Sequence, residues 1–386
     1  MPASPPTSVG LAARDAIVEG TFARNGSPSS VRLDWFVEGL RRVMADEGYD
    51  ERDRPGPDVQ VVVHLPDPER LRPYRRKAAP TFVIAIVQLP ERPTDLLRTG
   101  YPILVRCLAN LAILVTDDAD GPAAHFITLE QGTYTLACAA DEDKFFHAVF
   151  ERVQPLASSR LVIGNEFVPD LPRELWDGDE QTRQITRAGE RLGALDLLPA
   201  AFPIEEILSP RDLRHVMLLY GIGGLSYGNV SARRQPPTES GYGPEFWMSA
   251  SGVDKSRLVT VGHDVLLVRG YDPDNDAMVL SVPPDVEPNR VSVDAIEHWM
   301  IYREHPEVGA IVHVHAWIDG TVATEINYPC GTVQLAESVA DLVRQAPDPS
   351  RAVVGQRNHG LTITGHSLDE IFDRIDGKIV RNVPMD

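Results

Sequence analysis

The chain has 386 residues, with 37 Lys or Arg against 56 Asp or Glu, a formal charge of −19. That balance excludes a general nucleic-acid binder, which needs a basic face to neutralise phosphates, and it offers nothing to an anionic membrane surface. A composition of 43% apolar and 24% charged residues belongs to a globular protein long enough for two domains and for a core without disulfide staples.

Three cysteines, Cys107, Cys138 and Cys330, lie far apart with no CxxC pair. No disulfide framework is expected, and a cytoplasmic setting fits. Met1 to Gly20 shows no basic stretch followed by an apolar core, so it does not read as a secretory leader. The most apolar long stretch, Tyr101 to Val115, is interrupted by Arg106 and Asn110 and is too short to span a bilayer.

In chain order, residues 1–30 are rich in Pro, Ser, Ala and Gly and are expected to be loose. Val31, Leu33, Phe36, Val37, Leu40, Val43 and Met44 follow helical spacing across Ser30 to Glu47. Val59 to Leu65 and Thr81 to Leu89 are β-branched runs of strand length, each bounded by Pro. Ile103 to Thr116 reads as a further helix or strand, and His125 to Leu129 with Thr133 to Ala139 as a hairpin-like pair. Asp141 caps a helix to about Val153. This is an α+β pattern without a catalytic motif. Pro169, Pro172, Pro199 and Pro203 punctuate the next stretch, with a helix over Gln181 to Leu192. The reading is therefore an N-terminal α+β domain over 1–165, a linker and helix over 166–204, and a second domain over 205–386.

The second half begins with Ser209 as N-cap and Pro210 in the first turn of a helix. Gly223, Gly224 and Gly228 then form a glycine-rich turn into Asn229-Val230-Ser231-Ala232-Arg233. Strands are expected at Phe246 to Ala250, Val265 to Arg269, Gly309 to Ala316, Ala352 to Gly355 and Leu361 to Thr364, and a helix at Asp294 to Glu304. The acidic stretch Asp272 to Asp276 lacks the Gly and distal Glu of a calcium loop and reads as a hairpin turn.

The chemistry concentrates at His313-Val314-His315. On a strand, residues i and i+2 share a face, and two imidazoles side by side in an apolar run suit a metal pair. His359, between Asn358 and Gly360, can supply a third nitrogen, with the glycine expected to let the backbone turn tightly. A catalytic metal site typically has three protein ligands and an open position. Asp294, 19 residues before His313, can serve as a fourth ligand, as a general base or as a plain helix N-cap. Lys255 and His298 are nearby polar candidates with surface or structural alternatives. Trp317 reads as a core aromatic. Cys330 reads as a turn residue, because no histidine is near it in sequence.

In order along the chain stand Gly228-Asn229-Val230-Ser231-Ala232-Arg233, Ser249-Ala250-Ser251-Gly252, Ser292-Val293-Asp294, then His298 and Tyr302. Gly309-Ala310-Ile311-Val312-His313-Val314-His315-Ala316, Leu335-Ala336-Glu337 and Asn358-His359-Gly360-Leu361 follow. This ordered set resembles the class II aldolase/adducin family, which includes L-fuculose-phosphate aldolase and the L-ribulose-phosphate epimerase. The resemblance covers about the C-terminal half.

It implies an α/β fold, here a three-layer α/β/α domain with a mainly antiparallel sheet, preceded by the smaller α+β domain. It implies a divalent metal, zinc first with Mn²⁺, Co²⁺ or Fe²⁺ as alternatives, held by His313, His315 and His359. It places a catalytic carboxylate at Asp294, where the family aldolases carry Glu and the epimerase Asp. Asn229, Ser251, Gly252 and Ser292 resemble its phosphate-binding segments, with Val293 replacing a second serine. The activity implied is that of a lyase acting on a small hydroxy-carbonyl compound through a metal-stabilised enediolate. Epimerase, dehydratase or decarboxylase chemistry, or a non-catalytic adducin-like binding module, are the alternatives. A homo-oligomer, tetrameric in the family, is implied, with neither nucleic acid nor membrane as partner. The family's C-terminal tyrosine acid has no counterpart: the last tyrosine is Tyr328, so the acid is expected from Tyr302, Tyr328 or the N-terminal half.

Overall fold

A computed structural model of the chain describes residues 18–78, 81–119, 121–128, 132–159, 162, 164–199, 204–220, 226–236 and 239–385. Gly223 and Gly224 of the glycine-rich turn lie outside them. The chain divides into two compact units, Met1–Leu129 with Thr135–Glu151, and Glu130–Tyr134 with Arg152–Asp386. Among the described residues no helix is long and apolar enough to cross a membrane.

The first sheet is built from β1 Val18–Asn25, β2 Asp50–Arg52, β3 Val59–His64, β4 Phe82–Gln88, β5 Leu111–Asp118, β6 Gly121–Thr128 and β7 Gly132–Ala137, in the order β2-β1-β3-β4-β5-β6-β7. β1 occupies part of the stretch expected to be loose, because its mixed sequence Val-Glu-Gly-Thr-Phe-Ala-Arg-Asn carries no clean alternation. β2, β1, β3, β4 and β5 pair in parallel, and β6 returns antiparallel on β5. Parallel neighbours need crossover connections. Two of these carry α1 Val31–Asp46 and α2 Leu96–Cys107. Ser30 caps α1, its Oγ accepting from the Leu33 N–H at 3.0 Å, and Leu33, Phe36, Leu40 and Met44 form its buried stripe. The single element expected over Ile103 to Thr116 is two, because Leu108 takes a left-handed conformation (φ 55°) and ends α2 before β5 begins. α3, Glu142–Ser158, begins after Asp141, whose carboxylate accepts from the Lys144 N–H.

The second sheet contains β8 Gly164–Val168, β9 Asn229–Arg233, β12 Phe246–Ser249, β13 Val265–Asp272, β14 Ala277–Ser281, β15 Ala310–Val314, β16 Val353–Gln356 and β17 Gly360–Gly365, with the short hairpin β10 Glu239–Ser240 and β11 Gly243–Pro244 beside it. Its order is β16-β17-β15-β9-β12-β13-β14-β8. Every pairing is antiparallel except β14 with β8. Six helices among the described residues of this unit follow: α4 Glu180–Ala194, α5 Ile204–Ile207, α6 Pro210–Tyr220, α7 Ala295–Glu304, α8 Val333–Gln345 and α9 Leu368–Ile375. α4 packs on α9, β9 and β12, while α7 packs on α8 and β13. The domain has three layers, helices on both faces of a mainly antiparallel sheet. Within residues 164–199, β8 extends the sheet edge and α4 covers its middle.

Register positions the chemistry. His313 of β15 stands opposite Asn229 of β9 and opposite Thr362 of β17. Directly paired residues share a face, so Asn229, His313 and Thr362 form one row across three central strands. Asn229 and Thr362 bond Asp294 and Glu297 at the start of α7, so the row faces that helix.

Candidate metal centre

His313 lies within β15 and His315 just past its end, on the same face, with ring centroids 5.2 Å apart. His359 arrives from the turn between β16 and β17. Asn358, not the glycine, takes the left-handed conformation there (φ 58°). Gly360 matters for closeness: a Cβ on it would lie 2.2 Å from the Val314 carbonyl oxygen. The absence of a side chain lets the turn pack on β15 and carries His359 against the pair.

The three imidazoles offer ligand atoms that all lie within 4.8 Å of one another. His359 Nε2 is 3.2 Å from His313 Nε2. Burial pushes the His313 imidazole down to about 4, against a hydrogen bond to the Leu361 backbone, and His359 down to about 3, aided by the His313 charge. His315 is pushed well down by burial and then by the neighbouring His359 and His313. All three are neutral near pH 7, the form in which imidazole binds metals.

Asp294 stands at the N-cap of α7, yet its side chain makes no capping hydrogen bond. It turns toward the histidines, with Oδ2 4.0 Å from His313 Nε2 and accepting from Asn229 Nδ2 at 2.7 Å. Asn229 Nδ2 also donates to Ser292 Oγ at 3.1 Å. Burial raises the Asp294 carboxyl, opposed by charge from His359, the Asn229 bond and charge from Lys255. Buried polar atoms normally find partners. Here Asp294 Oδ1 and Asn229 Oδ1 have none. Orphaned acceptors beside three neutral imidazoles are the donor set a divalent cation takes, so the residues present fit the implied metal.

These groups border an open cleft of about 120 Å³. Asn229, Ser251, Gly252 and Ser292 line it together with Asp294, His315 and His359, while His313 is fully buried behind them. The expected site residues are therefore gathered in one place. A buried layer supports His313 from the other side. Glu297 accepts from Gln356 Nε2 at 2.8 Å and from Thr362 Oγ1 at 2.5 Å, and Gln356 Nε2 is 3.4 Å from His313 Nδ1. Burial, then the Asp294 charge, push Glu297 well up.

Residues 212–377 match the family described as Class II Aldolase and Adducin N-terminal domain. The C-terminal half of this chain is a class II aldolase/adducin domain. Similar solved structures include YgbL from Klebsiella pneumoniae, 14% identical with a TM-score of 0.33, covering 51% of this chain and 84% of that one. L-fuculose 1-phosphate aldolase is 16% identical with a TM-score of 0.34, covering 52% and 81%. An aldolase II superfamily protein from Pseudomonas syringae is 18% identical, with a TM-score of 0.34 and coverage of 53% and 73%. No curated protein matches the chain.

Three residues of the aldolase domain, Lys255, Tyr227 and Cys330, gain weight from its geometry. Lys255 is buried on the cleft wall, its Nζ donating to the Ser226 carbonyl at 2.5 Å, and burial lowers its amine to about 8 against attraction from Asp294. Tyr227, which the sequence did not flag, packs its ring at a tilt against His315, with ring centroids 5.3 Å apart. Cys330 is corrected: its Sγ lies 3.0 Å from His359 Nε2, a neighbour 29 residues away in sequence. His298 lies outside the cleft lining, bonded through Nδ1 to Ser231 Oγ at 2.8 Å, with its buried Nε2 lacking a partner. Tyr302 bonds the same Ser231 hydroxyl, is buried with its phenol pushed up by burial, and is not among the residues lining the cleft. Trp317 packs against the core, away from the cleft lining.

Proposed function

We propose that this chain is a metal-dependent lyase of the class II aldolase type, cleaving or forming a C–C bond in a small hydroxy-carbonyl compound of the sugar or sugar-phosphate kind. The observation that carries the reading is the meeting of three neutral imidazoles with the uncapped Asp294 carboxylate at one cleft. His313, His315 and His359 would hold a divalent ion, zinc most readily. Such an ion supplies Lewis-acid polarisation of a carbonyl oxygen.

The chain's own residues supply the rest. Asn229 fixes Asp294 through Oδ2 and leaves Oδ1 without a partner, on a residue that lines the cleft. A carboxyl raised by burial holds and releases a proton near neutral pH more readily than an exposed one. In the cleaving direction Asp294 takes the proton of the hydroxyl beside the breaking bond, the C–C electron pair passes toward the carbonyl, and an aldehyde leaves. Ser251, Gly252, Ser292 and Asn229 bind the polar end of the substrate, and Lys255 favours an anionic one. No lysine adduct is required. A homo-oligomer working in the cytoplasm accompanies this reading; the three cysteines form no disulfide.

The shorter Asp at position 294, only 4.0 Å from His313 Nε2, supports a second reading in which the same site runs an epimerisation, dehydration or decarboxylation. Elemental analysis of the wild type and of a His313→Ala/His315→Ala double mutant tests the first layer. About one divalent ion per chain, lost in the mutant, is the expected result. Incubation of the loaded enzyme with hydroxy-aldehydes, ketoses and their phosphates tests the second. An aldehyde product supports the lyase, an isomer or a dehydrated or decarboxylated product selects the second reading, and a folded wild type that takes up no metal ends both.

A further inference from the structure

Within that reading of a histidine-held metal, we propose that Cys330 is a fourth protein ligand, making the centre a three-histidine, one-thiolate site. Cys330 sits in the turn before α8 and is held from both sides. Thr332, the N-cap of α8, accepts from the Leu335 N–H and donates its hydroxyl to the Pro329 carbonyl at 2.7 Å. Gly331 takes the left-handed conformation (φ 70°), and a Cβ on it would lie 2.9 Å from Val293 Cβ. The turn is thereby pressed against the residue preceding Asp294.

This placement brings Sγ to 3.0 Å from His359 Nε2 and 3.7 Å from Nδ1. The same Nε2 is 3.2 Å from His313 Nε2. In a tetrahedral site with Zn–N near 2.0–2.1 Å and Zn–S near 2.3 Å, nitrogen ligands stand roughly 3.3 Å apart and sulfur stands roughly 3.6 Å from nitrogen, so the imidazole pair already has the spacing of atoms that share an ion, and the thiol would draw back from Nε2 by about half an ångström to join them. Cys330 also lines the cleft with His315 and His359 of the three-histidine group. A second observation points to a cation at the same place: Asp294 borders this cleft, and its buried Oδ1 has no partner. With the thiolate in the fourth position, Asp294 is left to move protons. A sulfur ligand selects zinc or cobalt over magnesium or manganese, and the thiol gives up its proton to solvent as the bond to the ion forms.

Cobalt titration of the full-length metal-free protein tests this. The expected wild-type spectrum shows a sulfur-to-cobalt charge-transfer band in the near ultraviolet, saturating at about one ion per chain. Cys330→Ser and Cys330→Ala should lose that band and still bind cobalt through the imidazoles, more weakly by at least the ~10–100-fold that loss of a supporting partner costs. Zinc-edge X-ray absorption on the wild type should detect one sulfur neighbour. Cobalt bound by the wild type without the band, and zinc without the sulfur, would overturn the thiolate and leave the three-histidine centre standing; the thiol is then a hydrogen-bond partner of His359 and Asp294. A wild type that binds neither ion overturns both. Should the variants fail to fold, the wild-type spectra alone decide.

Discussion

The two units bury histidines in opposite ways. His125 lies in the middle of β6 in the first unit, with Thr116 Oγ1 2.8 Å from its Nε2 and Thr135 Oγ1 2.8 Å from its Nδ1. Both ring nitrogens are served by neutral hydroxyls. In the second unit three equally buried rings face one another, and the nearest carboxylate keeps an oxygen with no partner. The strands repeat the contrast. β4 is Phe-Val-Ile-Ala-Ile-Val-Gln, with its polar residue at the end. β9 is Asn-Val-Ser-Ala-Arg, buried throughout, with polar side chains at alternate positions on the face toward α7. A buried imidazole with satisfied nitrogens is a structural part; buried imidazoles aimed at one another, beside a carboxylate oxygen and an amide oxygen with no partner, form a site.

The widest effect should come from breaking the clustered set. His359→Ala is expected to abolish stoichiometric metal uptake while the protein still melts cooperatively. Gly360→Ala should do much the same without removing any ligand, since its Cβ would meet the Val314 carbonyl and displace the turn that delivers His359. If Gly360→Ala binds metal as the wild type does, close packing of that turn is not what assembles the centre. Equilibrium dialysis against zinc measures both.

Asp294→Asn comes next. It keeps the shape and removes the proton acceptor, so metal content should stay and turnover of whichever substrate is found should fall about 10²–10⁴-fold. Loss of metal together with turnover would make Asp294 a ligand, as in the epimerase-like alternative.

How far the sequence carried this site follows from the range of its contacts. The HxH pair is readable because strand alternation is local, and Asn358-His359-Gly360 because its turn chemistry is local. The family resemblance then joined the segments. Cys330 was dismissed for lack of a neighbouring histidine, since its meeting with His359 exists only once β15, β16 and β17 are laid side by side. Lys255 reads as a surface residue until α4 and the segment around it pack: a Cβ on Gly189 of α4 would lie 1.9 Å from the Lys255 carbonyl oxygen. Asp294 could not be told from a cap, because the N-cap position is correct and only the direction of the side chain differs. In the first unit the strands are legible from β-branched runs, whereas β1 and the parallel order are not, because parallel pairing joins segments separated by crossovers.

Lys255 gives a smaller effect with a definite sign. Its amine is lowered from 10.5 to about 8 by burial, so between those values the unfolded chain binds more protons than the folded one. Stability therefore rises with pH across that window, and below pH 8 the full penalty of burying the ammonium is present, ~3 kcal/mol at 1.36 kcal/mol per pKa unit. Lys255→Met should be more stable than the wild type near neutral pH, and the difference should shrink as pH climbs toward 10.5. Denaturant melts at several pH values read it directly. A difference that does not change with pH would mean that the amine is solvated in the folded protein.

The smallest effect belongs to the satisfied histidine, and it is the control on the whole contrast. Burial lowers His125 below its ordinary 6.5, partly offset by Asp118. The unfolded chain then takes up a proton below pH 6.5 that the folded chain does not, so the contribution of this residue is whole above 6.5 and declines as the solution is acidified. His125→Ala removes hydrogen bonds to two buried or half-buried hydroxyls and should cost about 1–3 kcal/mol at neutral pH. It should also flatten the acid limb of the stability curve relative to the wild type and leave zinc uptake unchanged. His359→Ala should show the reverse: metal uptake lost, and little change in the melting of the metal-free protein. If His125→Ala altered metal binding, or if His359→Ala destabilised the metal-free chain as much as His125→Ala does, the division between structural and site histidines drawn from their partners would fail.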